Sequence, residues 1–569
     1  MKILLSAINA KYIHSNPAVY SLKAYATKQF ALSGKDNFPE NKIPEIIIKE
    51  HTINNLLDDI LQDIYLEKPD LIGFSCYIWN ISYVNLLIAE LKKLLPHTPI
   101  WVGGPEVSYN PKEYLQNTNN SVTGVILGEG EDTFFLLADM YARKQPELIT
   151  GINGIAYKKE AQIIVQPKAA CMDINNIPFF YSDMSDFDNR IVYYETSRGC
   201  PFSCSYCLSS VDKQMRFRHL DKVEEELLFF LEHKVPQVKF IDRTFNCNPE
   251  RAYHIWNFIH QNDNGITNFH FEVAGDMLTE EQLELFKTFR PGLIQLEIGV
   301  QTANAHTLAE INRKSDLKLL EKNVQSINKM GNIHQHLDLI AGLPMEDLNS
   351  FKESFNYVYS MAPNQLQLGF LKVLSGSQMK EKCEIYDLLY RTYPPYEVLS
   401  TKWLTHEDII TLKKVENVVE IFYNSHQFDN SISFLSDHFQ TAFDLYYQLG
   451  EYYYSSFDTK AKHSRISRYN FLLDFYDNLC SKNPQEKEAF KQLLTLDVYL
   501  RECIKTRPDF SLNLDVYHEN IINLKKKYNL PNRAHIEVFS DAGLIRYVYF
   551  DYDNRNPIHM SATLKELEL

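Results

Sequence analysis

The residues best suited to chemistry are three cysteines, Cys200, Cys204 and Cys207. They stand in Glu195-Thr-Ser-Arg-Gly-Cys-Pro-Phe-Ser-Cys-Ser-Tyr-Cys-Leu208, a Cys-x3-Cys-x2-Cys run. Three thiolates this close can hold three irons of a cubane iron–sulfur cluster and leave the fourth iron without a protein ligand. An electron-transfer cluster takes four cysteines, so an open iron implies that another molecule binds there. A structural zinc wants four ligands, often as two Cys-x2-Cys pairs, and no second pair exists. Nine cysteines in 569 residues are sparse and odd in number, which argues against a disulfide framework.

The elements that must position these thiols follow from periodicity. A chain of 569 residues is too long for one ordinary core and is expected to form about three domains. A hydrophobic content of 45% excludes wholesale disorder, and a net charge of −15 argues against broad binding to nucleic acid. No segment approaches the roughly 20 apolar residues of a membrane span. The first residues are too short an apolar run for a signal peptide. A cytoplasmic location, where thiols stay reduced, is expected.

Over residues 1–150 short apolar runs alternate with helical patterns. Strands are expected at 2–8, 46–50, 71–75, 99–102 and 124–127. Helices are expected from about 17, over 54–66 and 81–94, and from 131. This alternation predicts a doubly wound, Rossmann-like parallel sheet, whose ligands sit beyond the carboxyl ends of the strands. Three loops fall at those ends. They carry Gly73 and Ser75, then Gly103, Gly104, Pro105 and Glu106, then Gly128, Glu129, Gly130 and Glu131. Glycines there let a backbone approach a large ligand.

Residues 151–188 read as a hairpin (151–167) followed by a linker. From 192 the alternation restarts. Strands are expected at 192–196, 238–242, 268–273, 293–300, 334–340 and 366–373, with helices at 220–233, 252–261, 280–288 and 317–330. The ends of these strands carry Asp242, Glu272, Glu297, Gln301, Asp338 and Glu346, with Arg313 beyond the fourth. In parallel barrels, chemistry sits at such ends.

The cysteine spacing, with Tyr206 before its last member, resembles the radical S-adenosylmethionine (SAM) enzymes, and the six strands over 189–390 fit their partial (β/α)6 barrel. The resemblance implies a 4Fe–4S cluster on Cys200, Cys204 and Cys207 whose open iron chelates the amino and carboxylate groups of SAM. An electron from the cluster then cleaves SAM to a 5′-deoxyadenosyl radical. Gly103-Gly-Pro-Glu106 and Gly128-Glu-Gly-Glu131, with the loop 9–16, resemble the cobalamin-binding domain that precedes the barrel in class B members. The cobalt-ligating pattern Asp-x-His-x-x-Gly is absent. That implies cobalamin bound without a His ligand to cobalt; the competing reading is a domain that kept the fold and lost the ligand. Tyr77, Ile78 and Trp79 are equal candidates to face the lower side of the cobalt, and His14 reads as a hydrogen-bonding loop residue.

The family's chemistry assigns roles to the strand-end residues. The SAM carboxylate needs a cation, for which Arg313 is the first candidate, assisted by Gln301. Asp242 can accept from the amine and Glu297 suits the ribose hydroxyls, while backbone around Tyr206 and Ile340 can hold adenine. Cys247 reads as a small buried hydrophobe rather than a radical relay.

After about residue 391 helical patterns dominate, at 407–423, 431–449, 468–479 and 487–503. Strands then return at 535–539 and 544–552 around a turn at 540–543. This mainly α-helical segment, 391–569, resembles an uncharacterised domain attached to some cobalamin-type radical SAM proteins. The 35 tyrosines and 34 phenylalanines are expected mostly as packing, and the run Lys525–Lys527 as a solvated helix face.

The function implied is reductive cleavage of SAM with cobalamin alongside, and methylation of an unactivated carbon of an unidentified small molecule. A low-potential donor such as a flavodoxin or ferredoxin would supply the electron. The alternatives are radical rearrangement, cyclisation or oxidation without methyl transfer, and a non-catalytic cobalamin or SAM sensor. Methylthiotransferases share much of the barrel signature but hold a second cluster on three N-terminal cysteines. Here only Cys76 and Cys171 precede the triad.

Overall fold

The structure, a computed structural model, describes residues 1–569 except 35–37, 39–41, 119, 161, 457–462, 481–482 and 542–543. The chain packs as two units. One comprises Met1–Ala274, Ile311–Lys314 and Leu371–Leu399; the other comprises Gly275–Glu310, Ser315–Phe370 and Ser400–Leu569.

The first unit begins with a strand that is apolar on both faces. In β1 (Lys2–Asn9), Ile3, Leu5 and Ala7 join Val19 and Phe30 of the helix Pro17–Ser33 and Phe134 and Leu137 of the helix Glu131–Arg143. The intervening Leu4 and Ile8 join Ile60 and Ile64 of Leu57–Leu66 and Val84 and Leu87 of Ile81–Leu94. Burial on both faces explains why the strand reads as a continuous apolar run. It pairs in parallel with β2 (Glu45–Thr52) and β3 (Leu71–Ser75), and β4 (Ile100–Gly103) and β5 (Gly124–Ile126) follow. The order β2-β1-β3-β4-β5 reverses direction at β1, which opens a crevice at the carboxyl ends beside it. The expected hairpin is β6 (Ile155–Lys159) and β7 (Gln162–Val165). It adds two antiparallel strands to the same sheet; residue 161 at its tip lies outside the described residues.

The rest of this unit carries three further parallel strands, β8 (Val192–Tyr194), β11 (Gln237–Phe240) and β12 (Asn268–Val273), with Val238 opposite both Val192 and Phe269. The helices Leu220–Glu232 and Pro249–Gln261 connect them. The second has Pro at its start and Asn248 accepting from the Arg251 N–H, a standard N-cap. A two-residue ribbon, β9 (Ser197–Arg198) against β10 (Arg216–Phe217), closes the cysteine loop. Strand β8 stops two residues short of the expected 196 because the N–H and hydroxyl of Thr196 turn to Asp242.

The second unit holds parallel strands β13 (Ile294–Gln301), β14 (His334–Ala341) and β15 (Gln365–Phe370). In β13, Ile294, Leu296, Ile298 and Val300 are buried while Gln295, Glu297, Gly299 and Gln301 are half-buried. The apolar face packs tightly: a methyl on Gly275 would lie 2.9 Å from Ile298 and 3.3 Å from Leu320 of the helix Leu317–Met330. The helices start at side-chain caps, Thr279 with Gln282, Asp316 and Asp347, and Leu317–Met330 ends at Gly331 in the left-handed region.

Beyond residue 400 the same unit is helical: His406–Phe422, Asp429–Ser436, Ala442–Ser456, Arg465–Leu479 and Pro484–Arg501. The single helix expected over 431–449 is two, because the Thr441 hydroxyl caps Asp444 and starts a new one. The aromatic residues pack it, with Phe422 and Phe471 stacked at 5.7 Å. The chain closes with a helix, His518–Lys527, and a three-stranded antiparallel sheet, His535–Asp541, Leu544–Arg555 and Ala562–Leu567. Of the expected turn at 540–543, residues 542 and 543 lie outside the described residues. Lys525–Lys527 occupy the last helical turn, where cations suit the helix dipole. Among the described residues no helix is long and apolar enough to cross a membrane.

Candidate functional site

The cysteine loop is shaped by one carboxylate and one glycine. Asp242 is buried at the end of β11 and accepts from Thr196 N (2.9 Å), Thr196 Oγ1 (2.6 Å) and Ser197 Oγ (2.5 Å). Burial pushes its carboxyl up against those bonds. Its oxygens anchor the start of the loop. Gly199 has φ +94°, and a methyl there would sit 2.5 Å from the carbonyl oxygen of Gln214. Only glycine lets β9 and β10 approach this closely, and the Cys200 N–H then reaches the Asp212 carbonyl at 3.0 Å.

Cys200 and Cys204 are buried and Cys207 is half-buried. The loop between them is pinned from afar: Ser205 N donates to Ile311 O and Met379 N to Ser205 O, each at 2.9 Å. The first of these bonds brings in Arg313, whose Nη1 lies 3.8 Å from Cys204 Sγ and 3.5 Å from Tyr206 Oη. Burial holds the Tyr206 phenol well above its ordinary range, against the pull of Arg313. Ligands of one zinc, each about 2.3 Å from it, lie within about 4.6 Å of one another. Among the described residues the cysteine triad does not converge within 4.8 Å. The three thiols are thus too widely spread to share one zinc ion. The residues that do converge are Glu129, Cys171 and Asp212, but the Arg216 guanidinium already joins Glu129 and Asp212.

Beside this loop lies a largely apolar cavity of about 830 Å³. Its wall takes Gly73 and Ser75 of β3, Gly103 at the end of β4 with Gly104 and Pro105 after it, and Gly128–Glu131 after β5, and continues through Glu195, Arg198 and Ile241. Of the cavity residues expected from sequence, Glu106 is not on the wall; it accepts from Tyr396 Oη at 2.8 Å. Gly104 is a cradle position. Its φ is +117°, and a methyl would lie 2.4 Å from the Cys76 carbonyl oxygen. Of Tyr77, Ile78 and Trp79, the wall includes Tyr77, whose ring stacks on Trp79 at 4.4 Å and whose phenol burial pushes up to about 12. His14 Nδ1 lies 2.6 Å from Tyr193 Oη, a loop contact. A broad apolar cavity ringed by strand-end glycines fits a large flat ligand such as a corrin. Replacement of Gly104 by alanine is expected to weaken hydroxocobalamin binding by about tenfold to a hundredfold through left-handed strain, read by equilibrium dialysis. Unchanged affinity would place the corrin elsewhere.

The acids of the third loop pair with arginines. Glu131 is bidentate with Arg198 (Nη2–Oε1 2.6 Å, Nη1–Oε2 3.2 Å) and also takes the Ser21 hydroxyl at 2.8 Å. Burial raises its pKa, but Arg198 outweighs burial and holds the carboxyl below the usual range. Arg198 Nε also donates to both oxygens of Glu195 at 3.0 Å; there burial wins, and the Glu195 pKa is raised. Glu129 pairs with Arg216 through both oxygens, at 2.5 and 2.9 Å. Cys247 keeps its proton, its thiol pushed up to about 11 chiefly by burial.

In the second unit, Glu297 and Ile340 lie on β13 and β14, with Glu297 opposite His336 and Ile340 opposite Gly369 of β15. Gln301 ends β13 at a register shift with φ +73°, and its buried Oε1 has no hydrogen-bond partner among the described residues. A positive φ strains a non-glycine residue, and a buried acceptor without a partner is uncommon.

Three family models match in tandem: a B12 binding domain over residues 4–138, the Radical SAM superfamily over 194–358, and a protein of unknown function (DUF4080) over 384–551. The chain is a B12-binding radical SAM protein. Its cofactors are accordingly a 4Fe–4S cluster, SAM and cobalamin. The chain is 24% identical over 405 residues to the cobalamin-dependent radical SAM methyltransferase TokK of Streptomyces tokunonensis. That match covers 66% of this chain and 55% of the relative, so the chain spans little more than half of TokK's length. Two solved structures share the fold. The cobalamin-dependent SAM radical enzyme OxsB with aqua-cobalamin matches at TM-score 0.60 and 14% identity, over 93% of this chain and 81% of that one. The radical SAM methyltransferase TsrM of Kitasatospora setae, with tryptophan substrate and a SAM analogue bound, matches at TM-score 0.56 and 16% identity, over 69% and 79%.

Sequence reasoning missed Arg198 and Arg216 as parts of the site. One signal was present for Arg198: it sits two residues before Cys200, and the acidic loop Gly128-Glu-Gly-Glu131 had no complement of its own.

Proposed function

We propose that this B12-binding radical SAM protein is a methyltransferase that places a methyl group on a carbon of a small-molecule substrate. The observation that carries the reading is the shared wall of the cavity, which runs from the strand-end glycines to Glu195 and Arg198 beside the cysteines. When bound, the cluster and SAM supply a 5′-deoxyadenosyl radical and cobalamin supplies the methyl group. The protein's own residues do the positioning. Asp242 and Gly199 set the cysteine loop, Arg313 provides the cation for the SAM carboxylate, and the backbone near Tyr206 offers contacts to the nucleoside. TokK, named a cobalamin-dependent radical SAM methyltransferase, supports the choice of methyl transfer, and the tryptophan bound to TsrM supports a small-molecule substrate. An electron donor of low potential, a flavodoxin or ferredoxin, completes the reaction.

The test uses anaerobically purified, cluster-loaded, cobalamin-loaded protein, a strong reductant and SAM carrying a labelled methyl group. Metabolite extract is the substrate source. Labelled methyl in a new product together with 5′-deoxyadenosine is expected. A rearranged or oxidised product without label would replace methyl transfer by another radical outcome. Bound cofactors with no 5′-deoxyadenosine would favour a sensor.

A further inference from the structure

The cavity loop and the cysteine loop are joined by charge. Glu131, the first residue of its helix, and Arg198, two residues before Cys200, form a two-pronged pair, and both line the cavity. A second two-pronged pair, Glu129 with Arg216, runs parallel to it, since Arg216 stands opposite Arg198 in the ribbon that closes the cysteine loop. Arg198 Nη1 also approaches Glu129 Oε2 at 3.5 Å, and Arg216 Nη2 reaches Asp212 at 2.6 Å, the residue whose carbonyl accepts from Cys200 N. Four carboxylates, Glu129, Glu131, Glu195 and Asp212, thus share two guanidiniums. The side chains of Glu131 and Arg198 are only 6% and 14% exposed, so a lost partner leaves a largely buried charge. Paired forks of this kind fix direction as well as distance. Breaking a buried pair strands a charge, which is strongly unfavourable. Neither loop can shift without the other.

We propose that Glu131–Arg198, backed by Glu129–Arg216, is a positioning clamp through which corrin occupancy of the cavity and cluster occupancy of the cysteines depend on each other. A ligand that orders the loop 128–131 orders Arg198, and through it the backbone leading into Cys200. A cluster that orders Cys200 orders the ribbon, Arg216 and Glu129 in return. Linkage makes this coupling reciprocal: if the cluster tightens corrin binding by some factor, the corrin tightens cluster retention by the same factor. The inference rests on the two cofactors and is indifferent to whether methyl transfer follows.

The experiment measures the dissociation constant of hydroxocobalamin for full-length protein in two forms, cluster-loaded and stripped of iron by a chelator. In the wild type the loaded form is expected to bind roughly fivefold or more tightly than the stripped form. In Glu131→Gln, with folding confirmed by circular dichroism, that ratio is expected to fall to near one. A merely structural role for the pair would weaken both forms alike and leave the ratio intact, which would overturn the proposal. If Glu131→Gln does not fold, Glu129→Gln, at the more exposed carboxylate, must lower the ratio, and an unchanged ratio there overturns the clamp equally. Wild-type protein that binds hydroxocobalamin equally in both forms would remove the clamp while leaving the cofactor reading intact. Wild type that binds none would remove both.

Discussion

Replacing Gly199 by alanine is expected to leave a folded protein that retains all three cysteines and yet fails to hold its cluster. The reason is backbone geometry. At φ +94° an alanine is strained by about 1 to 3 kcal/mol. Its methyl would also lie 2.5 Å from the Gln214 carbonyl oxygen and 2.9 Å from the carbonyl carbon. Both are backbone atoms in the strand-to-loop segment that must stay close for Arg198 to pair with Arg216. The relief available is to part the ribbon, and that carries Cys200 away from Cys204 and Cys207. A displacement of about 1 Å at reacting groups can cost a hundredfold, and here one of three anchors moves. Iron bound after reconstitution should fall to a small fraction of wild type, and 5′-deoxyadenosine formation by about a hundredfold or more. Gly265 supplies the control. Its φ is +75°, but a methyl there meets nothing within 4 Å. Gly265→Ala should therefore carry the strain without the collision and keep its iron. Equal iron in Gly199→Ala and wild type would show that the ribbon does not set the cysteine geometry.

How much of this site was legible in the sequence depends on the range of the contact. The cysteine triad is local, so spacing alone announced it. The strand-end glycines were legible because a parallel sheet places successive loops at one edge, and β1 to β5 do lie in one parallel sheet. The Arg198–Glu131 pair was not legible. Its members are 67 residues apart, and the acidic loop's lack of a complement of its own does not say which arginine supplies it. Asp242 was read as a ligand group because it ends a barrel strand. Only three-dimensional structure reveals that Thr196 and Ser197, 46 and 45 residues earlier, donate to its oxygens. Beyond residue 400, helical periodicity was clear, but the break between Ser436 and Ala442 was hidden because aromatic residues continue the pattern through it. The last strand, Ala562–Leu567, buries only its two ends and so shows no alternation.

The largest pH effect is expected from Glu346, a carboxyl of the second unit that the strand-end pattern flagged without revealing its state. It is fully buried. Its Oε1 accepts from Thr302 Oγ1 at 2.6 Å and Ser354 Oγ at 2.8 Å, while Oε2 has no hydrogen-bond partner among the described residues. Burial, opposed by those two bonds, pushes its carboxyl up to about 7 from an ordinary value of 4.5. The folded state therefore binds the proton more tightly than the unfolded state does. Between those two values the unfolded chain binds fewer protons than the folded one, so stability falls as pH rises through the window. The gap corresponds to about 3 kcal/mol once pH exceeds the folded value. Glutamine in place of Glu346 keeps the acceptor for Thr302 and Ser354 and cannot ionise. Relative to wild type, Glu346→Gln should gain about 2 to 3 kcal/mol between pH 5 and pH 8. A protein of several domains has no single unfolding free energy. The measurement is therefore local: hydrogen–deuterium exchange of peptides covering β13 and the helix Leu348–Ser360, which Thr302 and Ser354 connect to Glu346. Opening free energies in wild type should decline across the window while those of Glu346→Gln stay level. Parallel declines would mean that Glu346 binds its proton no more tightly in the folded protein than in the unfolded one, and that another group sets the decline.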